Sequence, residues 1–401
     1  MIKRRQFVHF CARLTGTGLL ATHHVHGVAQ ASDGSGHTNI LRVGRTRAIR
    51  TIGQAARLAT AGSVVEVDAG DYVGDVAVWE RDGVSVLAVG GRVKLLAGGA
   101  SAEGKGIWVV RARNMRVQGI DFEGAKVASR NGAGIRLEDG SLHVRDCRFI
   151  RNEMGLLTGN NPGTELDVEN CEFAYNYHPT DHNHNLYVGQ IGRFSVTGSY
   201  FHHAHIGHLL KSRAAHNQIL GNRLTDESGG AASYELEFPN GGVAYVIGNV
   251  IEQDTQTDNP HVISFGAEGY FWPRNEIYLV NNTLVDLLPR GGIFLRVAPG
   301  AGAIRAINNL LLGAGNLESA GPGDYRNNVH ADPADFVATD LHDYRLLAGS
   351  PLVGKAIDPG MANGQQLRQV LEYTHPIGVR TLQAPAHNPG ALQGNVPIHR
   401  R

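Results

Sequence analysis

Two basic residues stand two positions apart in an apolar run, Leu-Leu-Lys-Ser-Arg at positions 209–213. In a β-strand the side chains of residues i and i+2 lie on the same face, whereas in a helix they point to different sides. If this run is a strand with Leu210 and Ser212 inward, then Leu209, Lys211 and Arg213 point outward together. The two cations would then present a local positive charge to solvent or to an acidic ligand.

The same alternation brings further reactive side chains to this outward face. Tyr187 lies outward in the segment NLYVG, and Glu235 and Glu237 lie outward in YELEF. We therefore expect Tyr187, Lys211 and Glu237 to form an outward row on three successive segments, flanked by Arg213 and Glu235.

This combination of side chains fits the eliminative cleavage of a uronate polysaccharide. The reaction needs a base for the C5 proton, a cation on the carboxylate to stabilise the developing enolate, and an acid for the leaving oxygen. Lys211 is the candidate base, and Arg213, a permanently charged bidentate donor, is the candidate carboxylate clamp. The candidate acids are Tyr187, His184 and His208. Additional substrate contacts are assigned to Asn185, Glu235, Glu237 and Arg296.

Three other interpretations use the same residues. Lys211 and Glu237 could be an exposed cross-strand pair with little effect on stability. Glu235 and Glu237 could supply the acid and the base of a glycoside hydrolase. The protein could also bind a glycan, or belong to the cell envelope, without catalysing a reaction.

Metal binding is a separate hypothesis. Eight of the twenty histidines fall between positions 178 and 216. Imidazole and carboxylate groups are ordinary ligands of zinc and other transition metals. The candidate ligands are Asp181, His182 and His184, with His203, His205 and His208 one repeat later. A calcium cofactor would instead use the carboxylates of Glu235 and Glu237.

The positions of these residues depend on a repeat that runs through most of the chain. A pattern of the form Val-x-x-(Cys/Ser/Asn)-x-(Phe/Leu/Ile), with other apolar residues sometimes replacing the valine, begins at positions 117, 144, 168, 196, 219, 246, 279 and 306. A unit of this length cannot bury its apolar face alone, so successive units must stack. Equivalent residues then lie about 4.8 Å apart, with Cys147 over Cys171 and a row of asparagines from Asn222 to Asn309. The repeat predicts a parallel β-solenoid.

The chain resembles the right-handed parallel β-helix proteins of the pectin-lyase-like superfamily. The repeat covers residues 105–330, TIGQAARLATAGSVVEVDAGDY (51–72) is similar to their capping helix and first strand, and DYRLLAGSPLVG (343–354) is similar to their closing segment. The resemblance implies an all-β, single-stranded right-handed parallel β-helix. We assign residues 32–104 to the N-terminal cap and first coils, and residues 331–401 to an irregular C-terminal segment that covers the last coils.

The segment LLKSRAAHN also resembles the K-S-x-x-N strand of β-helix lyases that act on alginate and chondroitin-type chains. The lysine is the base in that family, which implies this role for Lys211, and Ser212 and Asn217 match with one extra residue between them. Where the family has glutamates that hold calcium, this chain has Ala204, His205 and Ile206, and no residue matches its catalytic arginine.

Composition and the first residues bear on partners and location. Thirty-seven basic residues balance thirty-seven acidic ones, so the overall charge predicts no nucleic-acid partner.

Residues 1–31 contain Arg4 and Arg5, a short apolar stretch and the sequence Ala-Gln-Ala, a pattern typical of a twin-arginine export signal cleaved near Ala31. We expect a periplasmic or secreted monomer without a membrane anchor, which cleaves an acidic polysaccharide by β-elimination.

Overall fold

The structure is a computed structural model that describes residues 39–257, 259–317 and 320–394. The predicted export signal, residues 1–31, lies outside this part of the chain. The described residues wind into about ten turns of a parallel β-solenoid, and each strand pairs with its equivalents in the turns before and after it. No helix in the described part of the chain has the length and apolar character needed to cross a membrane.

A short helix covers the first turn of the solenoid. Helix α1 (Ile52–Leu58) follows strand β1 (Ile40–Val43), and the Thr51 hydroxyl accepts a hydrogen bond from the Gln54 N–H, which satisfies an amide at the helix start. Six strands form the first turns: β2 (Val64–Val73), β3 (Ala77–Trp79), β4 (Ser85–Leu96), β5 (Gly106–Gln118), β6 (Ile120–Glu123) and β7 (Ala133–Arg145). The long strands among them, β2, β4, β5 and β7, continue through the corners.

Later turns have three short strands, one on each face of the solenoid. The first face contains β9 (Met154–Thr158), β12 (Leu186–Val188), β15 (Leu210–Ser212), β18 (Leu236–Phe238), β21 (His261–Phe265) and β24 (Ile293–Val297). The second face contains β10 (Glu165–Glu169), β13 (Arg193–Thr197), β16 (His216–Leu220), β19 (Val243–Ile247), β22 (Glu276–Val280), β25 (Ala303–Ile307) and β27 (Asp324–Arg326). The third face contains β8 (Arg148–Ile150), β11 (Glu172–Ala174), β14 (Tyr200–His202), β17 (Arg223–Thr225), β20 (Val250–Gln253), β23 (Thr283–Asp286), β26 (Leu310–Leu312) and β28 (Val329–His330).

Identical side chains stack along the interior, as the repeat predicts. The rings of Phe122, Phe149, Phe173 and Phe201 stack with centroid separations of 5.1, 4.7 and 4.8 Å. The predicted asparagine row is also confirmed: in each step one side chain donates to the next side-chain oxygen at 3.0 Å, through Asn222, Asn249, Asn282 and Asn309. Cys147 and Cys171 are buried in neighbouring turns as free thiols.

The C-terminal segment folds back over the outside of the last turns. It contains two short 3-10 helices (Pro333–Asp335 and Thr339–Leu341) and three antiparallel strand pairs: β29 (Phe336–Ala338) with β30 (Asp343–Leu346), β31 (Met361–Ala362) with β32 (Gln365–Gln366), and β33 (Leu371–Tyr373) with β34 (Val379–Thr381). Phe336 and Tyr344 pack against Val250 and Leu310 of the third face, and Leu367 packs against the second face. The segment therefore buries apolar side chains that point out of the solenoid.

Candidate functional site

The predicted outward row exists on the first face. Tyr187 is the register partner of Lys211, and Lys211 is the register partner of Glu237. Each residue occupies the middle of a three-residue strand whose two apolar or small neighbours point inward, which fixes the outward direction of its side chain. The row is less open than expected, because Lys211 and Glu237 are 8% and 3% exposed.

A loop that follows β21 covers this row and contributes a carboxylate to it. Glu268 in this loop accepts from Lys211 Nζ at 3.0 Å through Oε1, and it contacts Arg213 Nη2 at 2.7 Å through Oε2. Although partial burial opposes ionisation, the hydrogen bonds from Lys211 and Arg213 hold the pKa of Glu268 below its usual value. The two cations therefore already bind one carboxylate between them.

Arg213 is held on several sides at once. Its Nε donates to the Tyr187 hydroxyl at 2.9 Å, and its Nη1 donates to Asn240 Oδ1 at 2.6 Å. The indole Nε1 of Trp272 donates to the Arg213 carbonyl at 2.9 Å, which ties the covering loop to this strand end. The guanidinium is therefore fixed in the orientation in which it meets the carboxylate of Glu268.

Glu237 and His208 lie beneath Lys211. Glu237 Oε2 is 2.9 Å from Lys211 Nζ and 3.0 Å from His208 Nε2. Burial opposes ionisation of Glu237, but the hydrogen bond with His208 and the charge of Lys211 hold its pKa below the usual value. Burial lowers the pKa of His208 and so favours its neutral ring, whose Nε2 contacts Glu237.

The two candidate histidine acids lie behind the surface of the first face. His184 and His208 are each 5% exposed, and their rings are in contact, tilted by 35° with a centroid separation of 4.5 Å. His184 Nδ1 accepts from the His208 backbone N–H at 2.9 Å. Burial, followed by the nearby His208, lowers the pKa of His184 well below the usual value. Of the three candidate acids, only Tyr187 is partly exposed, so the assignment of His184 and His208 as direct proton donors is corrected.

Three side chains that were predicted to point outward or to contact the substrate are buried instead. Leu209 and Glu235 have no exposed surface and lie among core residues, because each precedes the first residue of its strand and occupies the corner where the chain turns. Asn185 is at the equivalent corner, where it accepts from Asn176 Nδ2 at 2.8 Å and donates to the His202 carbonyl at 2.9 Å. Glu235 and Asn185 are therefore parts of the interior rather than substrate contacts.

The candidate metal ligands do not converge. Asp181 contacts His178 at 3.0 Å and Arg130 at 3.5 Å, and His182 is exposed. Glu235 is buried in the interior, whereas Glu237 points outward and is paired with His208 and Lys211, so the two carboxylates lie on different sides of the strand. In residues 39–257, 259–317 and 320–394, one group of three possible ligands has its atoms within 4.8 Å of one another, and His203 is the only candidate ligand that it contains.

Arg296 extends the row by two turns. Glu237 is the register partner of Ser264, and Ser264 is the register partner of Arg296. The Arg296 side chain is exposed. It therefore lies on the same face as Lys211 without contacting it, where an extended ligand running along the solenoid could reach both.

The sequence interpretation missed Glu268 and Trp272 in the loop after β21, and Asn240, which follows β18. One signal pointed to this loop: the repeat step from position 246 to position 279 is 33 residues, the longest in the chain. The excess forms the loop after β21, and Phe271 within it has 55% of its surface exposed. An inserted loop on a rigid scaffold is a common location of functional residues.

Comparison with solved structures decides the fold. Pectate lyase Pel9A superposes with a TM-score of 0.60 at 14% identity, over 90% of this chain and 98% of that chain. The chain is a right-handed parallel β-helix of the pectin-lyase-like type. The predicted fold class and resemblance are therefore confirmed. A PL6 family polysaccharide lyase from Pseudopedobacter saltans has a TM-score of 0.37 at 11% identity, over 81% of this chain and 100% of that chain. No protein-family model and no curated protein matches the sequence.

Proposed function

We propose that this β-helix cleaves an acidic, uronate-containing polysaccharide by β-elimination. The observation that carries the proposal is the carboxylate of Glu268, which lies between Lys211 Nζ at 3.0 Å and Arg213 Nη2 at 2.7 Å. A site that holds one carboxylate in this way has the charge and spacing to hold the carboxylate of a uronate. The pectate lyase that shares the fold supports a polysaccharide ligand.

In the proposed reaction the substrate carboxylate takes the place of Glu268. The Glu268 side chain is 45% exposed and belongs to a loop, so its displacement leaves the strands unchanged. Arg213 then stabilises the charge that develops on the substrate carboxylate. Departure of Glu268 also removes one of the two negative charges that contact the Lys211 ammonium.

The bond changes assign a role to each side chain on the row. Lys211 first releases its ammonium proton to solvent, and the neutral amine then takes the C5 proton. The C5–H electron pair forms the C4–C5 double bond, and the bond from C4 to the glycosidic oxygen breaks. Tyr187, whose hydroxyl is 2.9 Å from Arg213 Nε, donates the proton that the leaving oxygen needs. Arg296 and Phe271 lie where they can contact neighbouring sugars of a bound chain.

The test is ultraviolet absorbance of unsaturated uronates during incubation with pectates, alginates, glycosaminoglycans and bacterial exopolysaccharides, with and without calcium. The expected result is a rise in absorbance that Lys211→Ala lowers by at least about 100-fold. Lys94→Ala, which changes an exposed lysine on β4, is the matched control. A rise that Lys211→Ala leaves unchanged would contradict the assignment of the base.

A second candidate function is glycan binding without catalysis. The observation that favours it is the pairing of Lys211 with both Glu237 and Glu268, because two carboxylates stabilise the charged ammonium. Under this function no unsaturated product forms and reducing ends stay constant. Lys211→Ala would then weaken binding, and added salt would weaken binding to the unmodified protein.

We also propose that the protein is exported and acts as a monomer. The support for export is the sequence pattern of residues 1–31. N-terminal sequencing of protein recovered from the periplasm or medium is the test, with a mature chain that starts close to residue 32 as the expected result. A full-length chain confined to the cytoplasm would contradict it.

A further inference from the structure

A second group of ionisable side chains lies at the corner that follows the third face. His202 is the last residue of β14, His203 follows it, and Glu227 lies two residues after β17 in the next turn. One possible ligand atom from each residue lies within 4.8 Å of the others, and this is the only such trio in the part of the chain that the structure describes. None of these residues belongs to the row that contains Lys211.

The two imidazole rings face each other through the same type of nitrogen. His202 Nδ1 and His203 Nδ1 are 2.6 Å apart, with the ring planes at 78°. Two neutral rings can share a single proton at this point, whereas a cation near both nitrogens would accept a lone pair from each.

The surroundings of His202 fix its tautomer. His202 Nε2 contacts Glu172 Oε1 at 3.3 Å, and the other Glu172 oxygen is 3.1 Å from Arg148. A carboxylate accepts a proton, so the hydrogen lies on Nε2 and the Nδ1 lone pair points toward His203 and Glu227. Carboxylates commonly orient metal-binding histidines in this way.

Glu227 has one carboxylate oxygen that is fully used. Its Oε1 accepts hydrogen bonds from the Tyr200 hydroxyl, from Arg223 Nη2 at 3.2 Å and from Thr225 Oγ1 at 3.3 Å. All three contacts end at Oε1, so Oε2 is the oxygen that can face a ligand. The backbone of Ser228 also forms a hydrogen bond with His203.

We propose that His202, His203 and Glu227 bind a transition-metal dication, with zinc as the best match. Two imidazole nitrogens and one carboxylate oxygen form a common three-ligand zinc set that leaves a fourth position for water or substrate. Imidazole ligands make calcium and magnesium poor matches, because these ions prefer oxygen. His203 and Glu227 are only partly buried, so an ion has access from solvent. The proposal is independent of the lyase reaction.

The test is titration of the full chain, purified without a histidine tag and stripped of metal, with Zn²⁺ by calorimetry and with Co²⁺ by visible absorption. The expected result is one equivalent of bound metal and the Co²⁺ spectrum of a four-coordinate site with nitrogen ligands. His203→Gln and Glu227→Gln should each lower zinc affinity by at least about 100-fold, and Glu172→Gln, which changes a positioning residue, by about 10-fold. His216→Gln, which changes an exposed histidine on β16, should leave affinity unchanged.

Three outcomes would overturn the proposal. They are the absence of saturable zinc binding, binding that survives in both ligand variants, and a Co²⁺ spectrum of a six-coordinate, all-oxygen site. Circular dichroism of each variant checks that it is folded. If a ligand variant does not fold, the proposal is tested by the Co²⁺ spectrum of the unmodified protein and by the zinc affinity of Glu172→Gln.

Discussion

Replacement of Asn249 by alanine tests whether the interior asparagine row stabilises the β-helix. Asn249 Oδ1 accepts from the Asn222 backbone N–H at 2.8 Å, and its Nδ2 donates to the Ile219 carbonyl at 2.8 Å. Its side chain also bonds the side chains of Asn222 and Asn282, both at 3.0 Å. Asn249 has no exposed surface, so water cannot replace these partners after the substitution.

The expected loss follows from the backbone groups that Asn249 leaves unpaired. One N–H and one carbonyl lose their partner, at about 1–3 kcal/mol each, so the loss is about 4 kcal/mol in total. Unfolding entropy is about 2.1 cal/mol/K per residue, or about 0.7 kcal/mol/K for roughly 350 residues, so Tm should fall by about 5 °C.

Differential scanning calorimetry of the full chain measures this change. The matched control is Gln218→Ala, which removes a half-buried amide from the outward side of β16, where its side chain forms no hydrogen bond with the described residues. We expect the control to change Tm by less than about 1 °C, as is usual for surface substitutions. An Asn249→Ala shift as small as that of the control would refute the view that the row satisfies otherwise unpaired backbone groups.

Three further substitutions have clear expected outcomes. Because burial raises the pKa of Glu235, the folded state retains a proton that the unfolded state loses, so stability falls as pH rises from the ordinary value of 4.5 through the folded pKa. Glu235→Gln should therefore raise Tm increasingly from pH 4 to pH 8, and a pH-independent difference would contradict this. Glu268→Gln removes the charge that competes with the substrate carboxylate, so it should strengthen binding of a uronate oligosaccharide about fivefold, since an exposed ion pair contributes about 1 kcal/mol or less. Weaker oligosaccharide binding, measured by calorimetry, would mean that Glu268 contacts the substrate rather than competing with it. Arg213→Lys keeps the charge but loses the planar fork. Turnover of the folded variant should therefore fall about 100-fold, as expected for the loss of one transition-state donor. Unchanged turnover would exclude Arg213 as the carboxylate clamp.

The fold was accessible from the sequence because its determinants are local and repeated. Each turn must place an apolar residue inward at the same position, so Phe122, Phe149 and Phe173 recur at the period of the solenoid. Parallel pairing then brings equivalent residues together without further information. The asparagine row follows for the same reason, since each side chain needs the equivalent one in the next turn.

The outward row was predictable inside the strands and at Arg213, which follows β15, but not at the residue before each strand. The alternation of side chains holds for Lys211 and Glu237, which lie at the centres of β15 and β18. It fails one residue before each strand, at Leu209 and Glu235, because the corner rotates the backbone and turns both side chains inward. A strand boundary misplaced by one residue is enough to move a carboxylate from solvent to the core.

The contact between Glu268 and Lys211 could not be predicted from any local pattern. The two residues are 57 positions apart, and the loop that carries Glu268 belongs to a turn two steps further along the solenoid. Only the unusual length of one repeat marked the loop. Its length did not reveal that the loop would fold back over β15.

The histidine pair shows the same limit on a smaller scale. Adjacent residues of a strand point to opposite faces, so strand alternation places His202 and His203 apart. In the structure β14 ends at His202, and His203 is the first residue after the strand. His203 adopts a left-handed conformation with φ of 49°. A non-glycine residue pays a cost of about 1 kcal/mol for this conformation. The turn brings the two Nδ1 atoms together, so the candidate zinc site depends on a corner conformation that residue type and spacing do not specify.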